Sequence, residues 1–339
     1  MKQSVMTAPG KMEFREVPRP VPKPGEVLLA TRRIGVCGSD IHVYHGKHPY
    51  TSYPIVQGHE VSGEIVEIGK GVKGFTVGDR ATFMPQLVCG KCYPCTHGMY
   101  HICDSLKVYG FQIDGAGQEF FPIPADIVLA LPKGMSLEAG AIIEPLSVAV
   151  HALSRAGDVR GKKVLVLGAG PIGNLVAQSA KALGAAKVLV TDVSDFRLDV
   201  ARRCGVDETA NPKAGDLGEA IAKHLGPDKA DVALECVGSE ATIRDAIAFS
   251  RKGQTIVVVG VFGAKPVVDM GWVQDRELNI FGTLMYQRRD YQKAIELAGA
   301  GTLSLETLVT DTFPFDRYLD AYLHIEKARD RVMKVMISL

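Results

Sequence analysis

The apolar run Lys163-Val164-Leu165-Val166-Leu167 ends directly on Gly168-Ala169-Gly170-Pro171-Ile172-Gly173, and a helical pattern continues over 172–183. A second run, Lys187-Val188-Leu189-Val190-Thr191, follows and stops at Asp192. Alone, G-x-G-x-x-G is a weak signal. Between a strand and a helix, with an acid closing the next strand, it specifies a strand–turn–helix–strand unit and a loop shaped for a dinucleotide. The first glycine permits the tight turn, the second lets backbone approach a pyrophosphate, and the third lets helix pack on strand. The helix N-terminus adds free N–H groups and partial positive charge for the phosphates. Asp192 suits the two hydroxyls of an adenosine ribose and repels a 2′-phosphate, so NAD is expected over NADP. Candidate contacts are Gly168, Gly170, Pro171, Ile172, Gly173, Asp192 and Arg197. In the competing reading the glycines only shape a turn and Asp192 caps the next helix; the order of elements favours the nucleotide.

The same alternation persists downstream. Buried-type strands at 231–235 and 255–259 argue for a doubly wound parallel sheet. Before residue 144 the texture differs. Val27-Leu28-Leu29-Ala30 and the nearly alternating run 61–68 read as strands, and Pro18, Pro20, Pro22 and Pro24 make an extended arm. A helical stretch at 291–300 and a short strand at 332–337 fit no further βαβ unit and are expected to return to the first domain. The expected division is a β-rich domain over 1–145, a nucleotide domain over 146–284 and a returning segment over 285–339.

Lys+Arg total 39 against 38 Asp+Glu. That balance provides no electrostatic reason to expect nucleic acid or an anionic membrane as partner. No stretch reads as a membrane span, and the first ten residues lack the apolar core of a signal peptide. The cytoplasm is the expected compartment, where thiols stay reduced, so the seven cysteines call for something other than disulfides. Four of them, Cys89, Cys92, Cys95 and Cys103, crowd into one loop with Gly90, Pro94 and Gly98 between them. Four thiolates close a tetrahedron around zinc and leave no open position, so this site is expected to be structural. A redox pair, plain buried cysteines and a nucleic-acid-binding zinc ribbon are the alternatives. Lys91 is the one permanent cation between the cysteines, which disfavours the last.

Cys37-Gly38-Ser39-Asp40-Ile41-His42 and Gly58-His59-Glu60 lie about twenty residues apart in the β-rich part. Cys37, His59 and Glu60 are each competent zinc ligands, and Gly58 permits the turn that lets adjacent His and Glu face one ion. Taken with the cysteine loop, Val77-Gly78-Asp79-Arg80 and residues 168–173, they carry a resemblance over essentially the whole chain to the zinc-containing medium-chain dehydrogenases. Glu144-Pro145-Leu146-Ser147-Val148 resembles the polyol (sorbitol or iditol) branch of that family. The resemblance implies a GroES-like β-rich catalytic domain, a Rossmann coenzyme domain, two zinc ions per chain and NAD. It implies Cys37, His59 and Glu60 as catalytic-zinc ligands, with Glu144 as a fourth, direct or through water. Ser39 and His42 match its proton-relay positions; a surface role for His42 is the alternative. The competing role for Glu144 is to cap a helix over 146–154.

The implied reaction moves a hydride from a secondary alcohol of a polyol or sugar-acid to NAD. A threonine or short-chain diol dehydrogenase is the second reading. A retired dehydrogenase serving as a binding or structural protein is the third, disfavoured because all four metal-competent residues are kept. One departure concerns the substrate side: Tyr286 stands where sorbitol and threonine dehydrogenases tend to have an arginine, with Arg288 and Arg289 as nearby cations. A homodimer or homotetramer is expected, partly from the resemblance and partly from the apolar run 257–262.

Overall fold

The computed structural model describes all residues, Met1–Leu339, in two compact units. One comprises Met1–Glu144 with Val309–Leu339, the other Pro145–Leu308. The chain therefore returns to the first unit at Val309, later than the expected residue 285. Helix Arg288–Gly299 stays with the nucleotide unit because Tyr291, Ala294 and Leu297 on one face are buried there. Asp290 also caps that helix and pairs with His151 of the same unit at 2.7 Å.

The first unit is built on a seven-stranded sheet. Its long central strand, Glu26–Val36, pairs antiparallel with Glu60–Ile68, with Phe120–Pro124 and with the C-terminal strand Lys334–Ser338. Val27, Leu29, Ile34, Val61, Ile65, Ile123 and Val335 bury their side chains in one core. An N-terminal hairpin, Lys2–Ala8 with Lys11–Glu16, adds a separate two-stranded ribbon that the sequence pattern did not reveal.

The second unit is a six-stranded, wholly parallel sheet in the order Glu208–Ala210, Lys187–Thr191, Lys163–Leu167, Val232–Glu235, Thr255–Val258, Asn279–Gly282. The strand order reverses beside Lys163–Leu167, and in such sheets ligands bind at the carboxyl ends of strands flanking that switch point. The outermost strand, Asn279–Gly282, is exposed along its whole length.

Helix Leu137–Arg155 corrects two expectations. It begins well before 146, so Glu144 and Pro145 lie inside it and Glu144 is no N-cap. It is also long and apolar enough by composition to cross a bilayer, which the linear reading had denied; 78% of its most apolar window is buried within the protein. Its apolarity serves packing: Ile142, Ile143, Leu146, Ala149 and Leu153 are all buried.

Candidate active site

Strand pairing assembles the first donor cluster. The register Gly35↔Glu60 sets the end of one strand against the start of its neighbour. Cys37 follows the first strand and His59 precedes the second, so thiol, imidazole and carboxylate meet, with ligand atoms within 4.8 Å of one another. Two glycines make this possible. Gly58 has φ +104°, a conformation L side chains rarely adopt, and provides the turn into His59. At Gly35 a Cβ would lie 2.1 Å from Glu60 Oε2, so only glycine leaves the carboxylate its room.

Asp40 orders the cluster from behind. One of its oxygens accepts the backbone N–H of Cys37 at 2.8 Å. The other accepts from Gln57 Nε2 at 3.1 Å and faces His59 Nδ1 at 3.6 Å, an ion-pair separation. Tyr322 donates in turn to Gln57 Oε1 at 3.2 Å. Burial opposes charge on His59, but the Asp40 carboxylate and the Cys37 sulfur outweigh it, and the imidazole pKa lies well above its ordinary value. Both Glu60 oxygens accept from Lys334 Nζ, at 2.8 and 2.7 Å. Burial opposes charge on this lysine, yet Glu60, Cys37 and Glu144 hold its pKa above normal. Lys334 was absent from the sequence reading. A lysine inside the apolar run Val332-Met333-Lys334-Val335-Met336-Ile337 was the available signal.

The donor chemistry fits a divalent cation. Asp40, Glu60 and Glu144 are all buried; Glu60 shares a cluster with the Cys37 thiol and pairs with Lys334, the one buried ammonium. The protonation pressed on His59 marks a place where positive charge is favoured, and a metal meets that demand while an imidazole ligand stays neutral. Glu144 lies outside the three-residue cluster yet acts on Lys334. Ser39 and His42 sit on helix Gly38–Tyr44 immediately after Cys37, with Ser39 half-buried and His42 exposed.

The second cluster is the cysteine loop. Strands Gln86–Leu87 and Lys107–Val108 pair at its neck. The four sulfurs of Cys89, Cys92, Cys95 and Cys103 lie within 4.8 Å of one another. Backbone N–H groups point at them: Cys92 to Cys89 Sγ at 3.4 Å, Cys89 to Cys103 Sγ at 3.3 Å, and Ser105 to Cys103 Sγ at 3.4 Å. Amides of Lys91 and Cys92 press the Cys89 thiol down to about 6, whereas burial and the neighbouring thiols push Cys95 up to about 12, so the four sulfurs become thiolates together only with a cation among them. No disulfide forms among the seven cysteines.

In the other unit the glycine-rich loop has the geometry its sequence demands. A Cβ at Gly173 would sit 1.9 Å from Gly168 O, and Gly168 itself has φ +102°. At Gly170, by contrast, the nearest atom to a Cβ is an Arg197 guanidinium nitrogen at 3.9 Å, so this face of the loop is open. Helix Pro171–Ala182 starts there with no side chain capping its first turn. Arg197 Nε is buried without a hydrogen-bond partner. Asp192 accepts from Ala169 N at 2.7 Å and Ser194 N at 2.8 Å, which fixes its carboxylate at the end of Lys187–Thr191. An open backbone cradle, a bare helix start, a guanidinium and a fixed acid fit a dinucleotide. Tyr286 is less suited to its suggested part: it has no exposed surface and packs on Tyr291 at 5.3 Å, while Arg288 and Arg289 are exposed.

Comparison with known proteins agrees with this geometry. Residues 171–300 match the zinc-binding dehydrogenase family and residues 23–133 the alcohol dehydrogenase GroES-like domain. The chain is 36% identical to a 2-dehydro-3-deoxy-L-galactonate 5-dehydrogenase of Pseudoalteromonas atlantica, covering 94% of this chain and 92% of that one. It is 32% identical to a sorbitol dehydrogenase of Bacillus subtilis over 99% and 97% of the two chains. Among solved structures, galactitol-1-phosphate dehydrogenase from Escherichia coli superposes with TM-score 0.91 at 30% identity, over the full length of both chains.

Proposed function

This chain belongs to the zinc-binding dehydrogenases with an alcohol-dehydrogenase GroES-like domain, and from that membership we propose that it oxidises a secondary alcohol of a polyol or sugar-acid to a ketone with NAD as acceptor. The observation that carries the reading is the Cys37–His59–Glu60 cluster, with His59 and Glu60 buried, in a chain that also holds an intact dinucleotide loop. A bound zinc supplies Lewis acidity toward the alcohol oxygen. Cys37, His59 and Glu60 hold the ion, Asp40 fixes the first two, and Lys334 carries the balancing charge for Glu60. Ser39 would relay the alcohol proton, its own hydroxyl proton leaving as it accepts one, and His42, exposed on the same helix, would take that proton by way of the nicotinamide ribose and release it to solvent. Residues 168–173 receive the pyrophosphate, and Asp192 takes the adenosine ribose hydroxyls. The four-cysteine loop holds a second, structural zinc.

Two further features complete the reading. Seven cysteines without a disulfide suit the reducing cytoplasm. The exposed edge strand Asn279–Gly282, with Ile280 and Phe281 exposed on it and Val261, Val267, Met270 and Trp272 exposed in the preceding segment, suits pairing with a second copy into a homodimer or homotetramer. The test is a set of initial rates with hexitols, aldonates, threonine and butane-2,3-diol, each with NAD and NADP. A polyol or aldonate with NAD is expected to exceed the others. Threonine or the diol winning would transfer the activity to those classes, and no turnover by a protein carrying two zincs would remove it.

A further inference from the structure

The returning C-terminal segment is tied to the metal cluster by a second route besides Lys334. Tyr322 lies on helix Tyr318–Ala328 and has no exposed surface. Its ring meets Tyr44 edge-on at 5.9 Å and Tyr318 at 5.6 Å, so packing fixes where the hydroxyl lies. That hydroxyl donates to Gln57 Oε1 at 3.2 Å, across 265 residues of sequence. Burial and the Asp40 charge hold the phenol pKa well above its ordinary value, so the donor proton is kept.

Gln57 is buried and stands two residues before His59. Its main chain is pinned where Gly117 N donates to Gln57 O at 2.7 Å. At the other end of the side chain, Nε2 donates to Asp40 Oδ1 at 3.1 Å and to the Asp40 carbonyl at 3.3 Å. A reversed amide would set its oxygen against a carboxylate oxygen and a carbonyl, with no proton among them. One orientation alone therefore satisfies both ends, with nitrogen toward Asp40 and oxygen toward Tyr322. Asp40 Oδ1 also faces His59 Nδ1 at 3.6 Å, and Oδ2 accepts from Cys37 N at 2.8 Å. Tyr322, Gln57 and Asp40 thus form a buried chain of donors that ends on the acid ordering two of the three candidate ligands.

We propose that Tyr322 is a positioning residue for the catalytic metal: it locks the Gln57 amide, the amide locks Asp40, and escape of the ion from Cys37, His59 and Glu60 is slowed. The inference rests on the metal reading above. Without the hydroxyl, Gln57 Oε1 is a buried acceptor that has lost its donor, which is costly. The pinned main chain cannot follow, so relief comes from turning the amide, and turning it draws Nε2 off Asp40. Loss of a group that supports metal ligands typically costs ~10–100-fold in affinity. Tyr322 acts one bond further out, so an effect near the lower end is expected.

The test is the time course of zinc release from the intact protein into pyridylazoresorcinol, a chromogenic chelator. The phase missing from Cys37→Ser belongs to the catalytic site. The other belongs to the cysteine loop and serves as an internal control. Tyr322→Phe retains the ring packing and removes only the hydroxyl. It should speed the catalytic-site phase by about 5- to 10-fold and leave the loop phase within about 2-fold. Gln57→Leu should speed the same phase at least as much. Adding Tyr322→Phe to Gln57→Leu should then change nothing further, because the hydroxyl acts through the amide. An unchanged catalytic-site phase in Tyr322→Phe would overturn the proposal. So would equal acceleration of both phases, the mark of general loosening, and so would additive effects in the double variant. A wild type with no phase that Cys37→Ser removes would instead overturn the metal reading on which the inference rests.

Discussion

The catalytic unit carries two metal-competent clusters that differ in how the fold makes them. The Cys37–His59–Glu60 cluster is assembled by long-range strand pairing, and Lys334 reaches it from the last strand of the chain. Its donors are of three kinds and sit among buried charges. The cysteine loop draws all four of its donors from one short stretch, aims backbone amides at the sulfurs, and leaves Cys89, Cys92 and Cys95 partly exposed. Four thiolates complete a tetrahedron, whereas three protein donors leave zinc a position for substrate. A mixed set, with its imidazole and carboxylate buried, thus suits chemistry, and a uniform, local set suits the folding of a segment with little core of its own.

The sharpest way to break that contrast is Cys37→Ser. Zinc per chain should fall from about two to about one, and kcat by ~10³-fold or more, the kinetic equivalent of losing several kcal/mol of Lewis-acid stabilisation. NAD affinity, measured by fluorescence titration, should stay near wild type because the glycine loop lies in the other unit. Retained turnover with one zinc would reverse the roles of the two clusters. Glu144→Ala should come next, with a fall in kcat of ~10–100-fold at unchanged NAD affinity, the usual cost of losing a group that supports a metal site. Its helix starts at Leu137, so the competing capping role is gone; a modest fall in thermal stability with unchanged kcat would show that Glu144 only packs.

Lys334→Met sharpens the contrast through stability. Removing one partner of a buried ion pair costs ~3–5 kcal/mol, because the other charge is stranded. In zinc-loaded protein Glu60 can turn to the metal, so part of that cost is offset. The Tm loss measured by calorimetry should be roughly 10 °C in chelator-treated protein and clearly smaller in the zinc-loaded form. Equal losses in both forms would mean that Glu60 does not exchange between lysine and metal.

What the sequence disclosed follows the same division between local and distant. The strand Lys163–Leu167 and the loop after it could be read because their signal is contiguous: apolar run, glycines at fixed offsets, helix. The cysteine loop was equally legible. For the Cys37–His59–Glu60 cluster the candidate ligands were identifiable only as a set of motifs, and the residues that order them were missed. Lys334 is 274 residues from Glu60 along the chain, and nothing in linear order announces that pairing. The segment return was placed early because helix Arg288–Gly299 shows one apolar face and its partner in the fold cannot be told from periodicity. Edge strand Asn279–Gly282 escaped notice because four exposed residues carry no burial pattern.

The smallest effect on turnover is expected where the metal is held most completely. In Cys92→Ser the loop loses one of four thiolates, together with the sulfur that lies 3.8 Å from Cys103 Sγ. Structural zinc contributes folding free energy outright, so the yield of folded protein and the Tm should both fall. Cys92 contacts none of Cys37, His59 or Glu60, which form their own cluster. Molecules that do fold keep that cluster, so kcat per catalytic zinc should remain within about 3-fold of wild type, a change of well under 1 kcal/mol in barrier height. The measurement is active-site-normalised kcat on the soluble fraction, with zinc counted on the same sample. Serine's hydroxyl is a far poorer zinc ligand than a thiolate, and the amides aimed at the remaining sulfurs cannot replace it. A variant that folds at wild-type yield and retains two zincs would show that three sulfurs suffice and that the loop is not a closed site. One that folds normally yet loses its turnover would place the loop in the chemistry, and the division of labour between the two clusters would fall.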